Sequence, residues 1–468
     1  MPEQHDLSAI QQACDQLASQ GRAEELLQWA DRALAQKPGD LGFTSFRSLA
    51  LNLLGRHREA AGLWAHDAPT AQEDAALNRL RMGYSLMMAC DYTQAIAVLN
   101  EARQMAAGAG QGVQRMVHVE AMHYLGEAML KAGDPRGFTY WLMRNENPHS
   151  AACYDPEDIP TWQGETQKEL RGRRVLITNQ LGFGDNFLLH ACMRDWLDAG
   201  AQVMFLCDLQ IHALMQASFP QCEVLAAPRP SQYHGPLPQE LQARVQEFAP
   251  QLHGTLLHLP LLRVASAAPG YHFTPYIHAS HDKQQVAAQW ASALRAQHPG
   301  KKLVGVFWDC CHHHLPGTSS TMHWWAKRRS LPLDAVSEFV TDAAIAQHVH
   351  FVNLHHPIIE KYIGAPADNL SRYTPGIWDF DDTAACTGQL DAVLAVDSAV
   401  ANLAAMMDVP VCVPVNTSSD WRWGCCGTAS PWLDNVMVLH QAREGDWTPV
   451  VQGITAWLMG LPHRWADK

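Results

Sequence analysis

Arg173-Arg174-Val175-Leu176-Ile177-Thr178-Asn179-Gln180-Leu181-Gly182-Phe183-Gly184-Asp185 is the stretch at which the chain changes its period. Val175 to Thr178 is a short apolar, β-branched run, the pattern of a buried strand, and it ends in a Gly-x-Gly turn. Beyond the turn Leu189, Cys192, Met193 and Trp196 recur at helical spacing, and Val203-Met204-Phe205-Leu206 is a second strand. Strand, glycine turn, helix and strand within about 30 residues make a βαβ unit and therefore a parallel sheet. A second series starts at Leu303-Val304-Gly305-Val306-Phe307 and continues at His350–Leu354, Ala392–Val396 and Pro410–Val413. Between the two series, Pro236, Pro238, Pro260, Pro269 and Pro275 read as loop. The expectation is two Rossmann-like α/β domains, 173–298 and 299–468, facing each other across a cleft.

Upstream the pattern is a repeat. Gly21-Arg22-Ala23-Glu24-Glu25-Leu26 returns 34 residues later as Gly55-Arg56-His57-Arg58-Glu59-Ala60, then 35 residues on as Cys90-Asp91-Tyr92-Thr93-Gln94-Ala95, with a looser copy at Gly133-Asp134. Apolar residues take helical spacing on either side of these turns: Leu49, Leu53 and Leu54 before Gly55, Leu80, Gly83, Tyr84 and Met87 before Cys90, and Ala95, Leu99 and Ala102 after it. Trp29, Trp64 and Trp141 fall at packing positions. This period and helix-turn-helix pattern resemble the tetratricopeptide repeat, which implies an all-α domain over 1–147 and a surface that grips a protein or peptide; a solenoid that only packs or dimerises stays open. Residues 148–172, rich in Asn and Pro at first, read as a linker.

Composition narrows the partners. Lys plus Arg number 34 against 47 Asp plus Glu, a formal charge of −13, which disfavours nucleic acid. No long apolar run or basic leader is present, so a cytoplasmic chain with no integral membrane segment is expected. The 12 Cys are scattered without a CxxC, which fits reduced thiols. The 25 His imply a net charge less negative than −13 below about pH 6.5.

Ligands of open α/β sheets bind beyond the carboxyl ends of the strands. At the first such end, Gly182 and Gly184 let backbone N–H groups approach a ligand, and the Asp185 carboxylate can take a proton from an attacking hydroxyl or simply cap the helix. At another, Asp397 ends a strand, Ser398 can cap the next helix, and small Ala399 leaves that helix N-terminus open to a diphosphate. The basic Lys327-Arg328-Arg329 is either a solvated face or a counter-charge for such a group. Asp309-Cys310-Cys311-His312-His313-His314 carries metal-ligand types, so Cys310, Cys311, His312 and His314 are metal candidates; the loop can equally shape an acceptor site or lack a function.

Together with Pro160–Glu165, Arg329-Ser330-Leu331-Pro332-Leu333, Asp420-Trp421-Arg422-Trp423, Ser430-Pro431-Trp432 and Gly445-Asp446-Trp447, these segments resemble the glycosyltransferase domain that follows tetratricopeptide repeats in bacterial proteins. That domain is similar to the heptosyltransferase family, glycosyltransferase family nine. The resemblance covers about 155–465 and implies a GT-B arrangement in which a sugar passes, with inversion, from a nucleotide donor to an acceptor hydroxyl without a required cofactor or metal. It also implies that Asp185 is the base, that Asp397, Ser398 and Ala399 hold the diphosphate, and that Arg329 offsets leaving-group charge. Trp421 and Trp423 are candidates to stack the donor. Asn402 stands where that family usually has His, which keeps open a catalytically reduced scaffold. A metal-dependent enzyme and a homo-oligomer remain alternatives.

Overall fold

The computed structural model describes residues 6–65, 72–108, 110–147, 152–232, 234–265, 271–310, 320–366 and 368–462. They form two compact units: Met1–Arg144 with Leu315–Arg328, and Asn145–His314 with Arg329–Lys468.

The first unit is helical. Its helices Leu7–Ser19, Ala23–Gln36, Leu41–Leu53, His57–Gly62, Gln72–Met88, Tyr92–Met105, Gly112–Lys131 and Gly137–Trp141 each pack on the next in sequence. The recurring turn has one geometry. Gly21, Gly55, Cys90 and Gly133 take φ of 67°, 74°, 60° and 79°, and the residue after each donates its N–H to the carbonyl five positions back, at 3.0, 2.8, 3.0 and 2.9 Å. These are Schellman caps, which need a left-handed residue; glycine supplies it freely and Cys90 only under strain. At Gly83 an added Cβ would lie 2.5 Å from Leu99 Cγ, so the absence of a side chain sets the helix spacing there. Ala95, Leu99 and Ala102 are fully buried, and Trp64 and Trp141 nearly so. Leu49 departs from the expected face: it is 41% exposed, because this helix turns Phe43, Ala50 and Leu51 inward instead. Residues 320–328 belong with these helices rather than with the α/β unit where the sequence pattern put them. Trp324 donates its indole N–H to the Leu53 carbonyl at 3.2 Å, and the Arg328 guanidinium lies 4.3 Å over its ring.

The second unit carries strands β1 (Arg174–Thr178), β2 (Gln202–Cys207), β3 (Glu223–Ala226), β4 (Leu252–Thr255), β5 (Lys302–Phe307), β6 (Val349–Asn353), β7 (Leu370–Arg372), β8 (Ala392–Ala395), β9 (Val411–Val415) and β10 (Val436–His440). One sheet runs β3-β2-β1-β4 and the other β10-β9-β8-β5-β6-β7, with every pairing parallel. Each sheet therefore reverses its winding once, between β1 and β4 and between β5 and β8, which are the crevices where such sheets take ligands.

Two boundaries differ from the sequence pattern. The linker is packed: Tyr154 and Trp162 are 6% exposed, the Tyr154 hydroxyl donates to the Pro228 carbonyl at 2.7 Å, the Trp162 N–H donates to the His253 carbonyl of β4, and the His253 N–H donates to the Pro160 carbonyl, both at 2.8 Å. Its polar, proline-rich composition concealed two anchoring aromatics. The helix His281–Gln297, placed in the first α/β domain by its position in sequence, is bonded to the second half through Lys283–Asp379 at 2.8 Å and Arg295–Asp391 at 3.0 Å. No helix among the described residues is long and apolar enough to cross a membrane.

Candidate functional site

After β1 the chain turns through Leu181, whose φ of 62° is left-handed and strained for a leucine. Gly182 then caps the helix Phe183–Leu189. Asp185 Oδ2 accepts the Gly182 N–H at 3.2 Å, and the buried Asn186 amide donates to the carbonyls of Gln180 and Gly182 at 3.0 and 2.9 Å. Asp185 is thus a cap through one oxygen. Its other oxygen, Oδ1, faces Arg422 Nη2 in a close ion pair, and its side chain keeps 22% exposure.

The opposing wall comes from the second half. Asp397 follows β8, and Ser398 caps the helix Ala399–Met406 by accepting the Ala401 N–H at 3.4 Å. Asn402 donates to the Ser398 carbonyl at 2.8 Å, while its Oδ1 is buried with no partner among the described residues. The helices Phe183–Leu189 and Ala399–Met406 touch at Gly184: a Cβ there would lie 2.9 Å from Asn402 Nδ2 and 3.6 Å from Ala399 Cα. Gly184→Ala is therefore expected to destabilise the unit by about 1–3 kcal/mol, read as a lower urea midpoint; an unchanged midpoint would contradict this close approach.

Charge is concentrated where the two walls meet. Arg329 Nη1 lies 3.6 Å from Asp397 Oδ2, and its segment is tied to the end of β5 by Cys310 N–H to Ser330 Oγ at 2.9 Å and Leu331 N–H to the Trp308 carbonyl at 2.8 Å. Arg422, 6% exposed, reaches Asp420 Oδ1 with Nη1 at 2.5 Å as well as Asp185. Burial pushes the Asp397 carboxyl above its ordinary range, Arg329 opposing and Asp420 reinforcing the shift. For Arg422 burial works against the charge, but Asp420, Asp185 and Asp397 outweigh it and hold the guanidinium above its usual value. Arg329 is raised in the same way, with Cys310 and Asp397 overcoming burial.

Gly182, Gly184, Asp185, Arg329, Asp397, Ser398, Ala399 and Asn402 thus gather at one cleft. Trp421 and Trp423 line no open face. They are 1% and 0% exposed, and Trp421 packs edge-on to Trp432 at 5.5 Å with Phe273 behind, so they wedge the turn that carries Arg422 and offer no ring for stacking. Asn402, 2% exposed, has committed its amide N–H to its own helix. Of the metal candidates, Cys311, His312 and His314 lie outside the described residues. Cys310 donates its thiol to the Asp397 carbonyl at 3.4 Å, and burial raises that thiol to about 11. Among the described residues no group of three or more metal-ligand side chains converges. Beside Phe183 a cleft of about 600 Å³ opens at the ends of β2 and β3, lined also by Asp208, Leu209 and Arg229; Arg229 pairs with Asp208 at 3.1 Å and covers the Phe183 ring at 4.8 Å. Arg422 and Asp420 were quoted in the sequence only as parts of a motif. An arginine between two tryptophans gives no sign that it points inward until the fold is known.

No protein-family model matches the chain. Protein FlbA of Caulobacter vibrioides is 26% identical over 316 residues, 62% of this chain but 46% of that protein, so the chain spans about half the length of this curated relative. Among solved structures, a family 9 glycosyl transferase from Veillonella parvula has 12% identity and a TM-score of 0.41, covering 58% of this chain and 87% of its own. The E. coli ADP-heptose heptosyltransferase II has 12% identity and a TM-score of 0.39, covering 61% and 98%. An O-GlcNAc transferase from Thermobaculum terrenum has 14% identity and a TM-score of 0.28, covering 88% and 83%.

Proposed function

We propose that this chain is an inverting glycosyltransferase of GT-B arrangement, similar to the heptosyltransferases, that moves a sugar from a nucleoside diphosphate onto an acceptor hydroxyl. The observation that carries the reading is the meeting of Asp185, at the end of β1, with the Asp397-Ser398-Ala399 turn, at the end of β8, where both sheets reverse their winding. The free N–H groups at the start of the helix Ala399–Met406 and the Arg329 guanidinium suit a diphosphate. Asp185 takes the proton of the acceptor hydroxyl; that oxygen attacks the anomeric carbon from the face opposite the donor bond. The bond from the anomeric carbon to the diphosphate oxygen breaks, its electron pair leaves with the nucleoside diphosphate, and the anomeric configuration inverts. The cleft lined by Phe183, Asp208 and Arg229 offers the acceptor a place at the start of the helix that carries Asp185. No metal or cofactor is needed for this sequence of events. The helical unit, read as tetratricopeptide-like, recruits a protein acceptor.

The test is release of nucleoside diphosphate from ADP, UDP, GDP and dTDP sugars, with water as the slow acceptor and a CMP sugar as the monophosphate control. The expected result is release from one diphosphate class, absent in Asp397→Ala, which frees Arg329. Release from none of them, or equal release by the variant, rejects the reading.

A further inference from the structure

Arg422 stands apart in the cleft because it is a buried cation from one half of the unit that grips the carboxylate proposed as base in the other. Its guanidinium divides its donors: Nη2 goes to Asp185, Nη1 to Asp420, and Nε is buried with no partner among the described residues. The rest of the residue is fixed on every side. Its N–H donates to Asp420 Oδ1 at 3.2 Å, its carbonyl accepts the Ser430 hydroxyl at 2.7 Å, and its guanidinium carbon lies 4.7 Å over the Trp421 ring. Trp421 is itself clamped, since Trp432 donates its indole N–H to the Trp421 carbonyl at 3.1 Å. An arginine held this firmly is a rigid fork, and the Asp185 side chain that it grips keeps 22% exposure.

A hydrogen bond from Gly182 alone leaves a carboxylate free to turn about its own axis. The second anchor, from Arg422, comes from the other α/β half and fixes the carboxylate plane. We propose that Arg422 is a positioning residue: reaching across from the other α/β half, it orients Asp185 for proton transfer. This rests on the transferase reading above and adds to it the residue that holds the base in orientation. It acts through Asp185, so its signature lies in turnover and not in donor affinity.

Arg422→Lys keeps a positive charge but loses the fork. The expected result is a fall in kcat of about 100-fold, the loss that a misplaced group typically causes, with the donor KM and the donor-induced thermal shift changed less than threefold. Asp420→Asn/Arg422→Gln removes one charge of each sign and serves if the lysine variant folds poorly; it is expected to reproduce the loss. In Arg422→Ala, added guanidinium ion should restore part of kcat. Loss of donor binding in Arg422→Lys would instead make Arg422 a donor ligand and overturn the proposal, as would an unchanged kcat. A reading that needs no turnover is the cycle of Asp185→Asn and Arg422→Lys on the urea midpoint: the effects must be non-additive, and strict additivity removes the pair whatever the activity. Failure of the transferase reading itself would appear in the unsubstituted protein, as no donor shift and no release.

Discussion

Asp185→Asn is expected to lower sugar transfer by about 10²- to 10⁴-fold, the usual contribution of a positioned general base, while the donor still binds. The amide keeps the shape of the side chain and an oxygen for the Gly182 N–H, so the cap survives. It removes the negative charge that accepts the acceptor's proton. Arg422 retains Asp420 at 2.5 Å, which limits the structural damage. The variant should therefore melt cooperatively and show the same thermal shift with donor as the parent, with turnover alone lost. Unchanged turnover would remove Asp185 from the chemistry and leave it a helix cap.

The second large effect is on stability in mild acid. Burial lowers His190, His258, His350 and His440 to about 4, and His253 and His355 to about 3. Several are locked as neutral rings. His258 Nδ1 accepts the Thr255 N–H at 2.9 Å, and His355 Nε2 accepts the Asp309 N–H at 3.3 Å while its Nδ1 faces Asn353 Oδ1 at 2.9 Å. Each folded value lies below that of the unfolded chain, near 6.5, so the unfolded state takes up protons first as pH falls. Their contribution is fully present above about pH 6.5 and is lost progressively down to about pH 4, at roughly 1 kcal/mol per pH unit for each ring. Asp397 and Asp195, both raised by burial, work in the opposite sense. The α/β unit should lose several kcal/mol between pH 6.5 and about 5, measured as urea midpoints at a series of pH values. A flat profile would contradict the burial of these rings. Between pH 6.5 and about 4 these six histidines stay neutral in the folded protein and add nothing to the offset of the charge of −13 expected from the 25 His.

The strands legible in the sequence are the central ones. β1, β2, β5, β6, β8 and β9 are apolar or β-branched runs, as central strands of parallel sheets must be. β4 is Leu-His-Gly-Thr and β7 is Leu-Ser-Arg; both are edge strands too short and polar for a pattern, and β3 and β10 are edges as well. Proline hid β4 and its flanking helices in what read as loop, although Gly254 is there because a Cβ would lie 3.1 Å from Ile177 Cδ1 of β1. In the helical unit the repeat was readable because the left-handed turn demands the same residue each time, and Cys90 was recognisable only by its spacing. For the site, Gly182, Gly184, Asp185, Asp397 and Ser398 were legible because turns after strands have a strong residue code. Arg422, Trp421 and Trp423 were not, since which of them points into the cleft depends on an aromatic wedge built from Phe273 and Trp432, distant in sequence.

A nucleoside diphosphate sugar held between Asp185 and the Asp397 turn should reveal itself in the melting temperature of the full chain with ADP, UDP, GDP and dTDP sugars, compared with Asp397→Ala. At about 100 times its dissociation constant a donor stabilises the folded state by roughly 2.7 kcal/mol, about 4 °C for a unit of this size. A shift of that order is expected with one nucleotide class and is lost in the variant. A cooperative melt that no diphosphate sugar moves at millimolar concentration would contradict it.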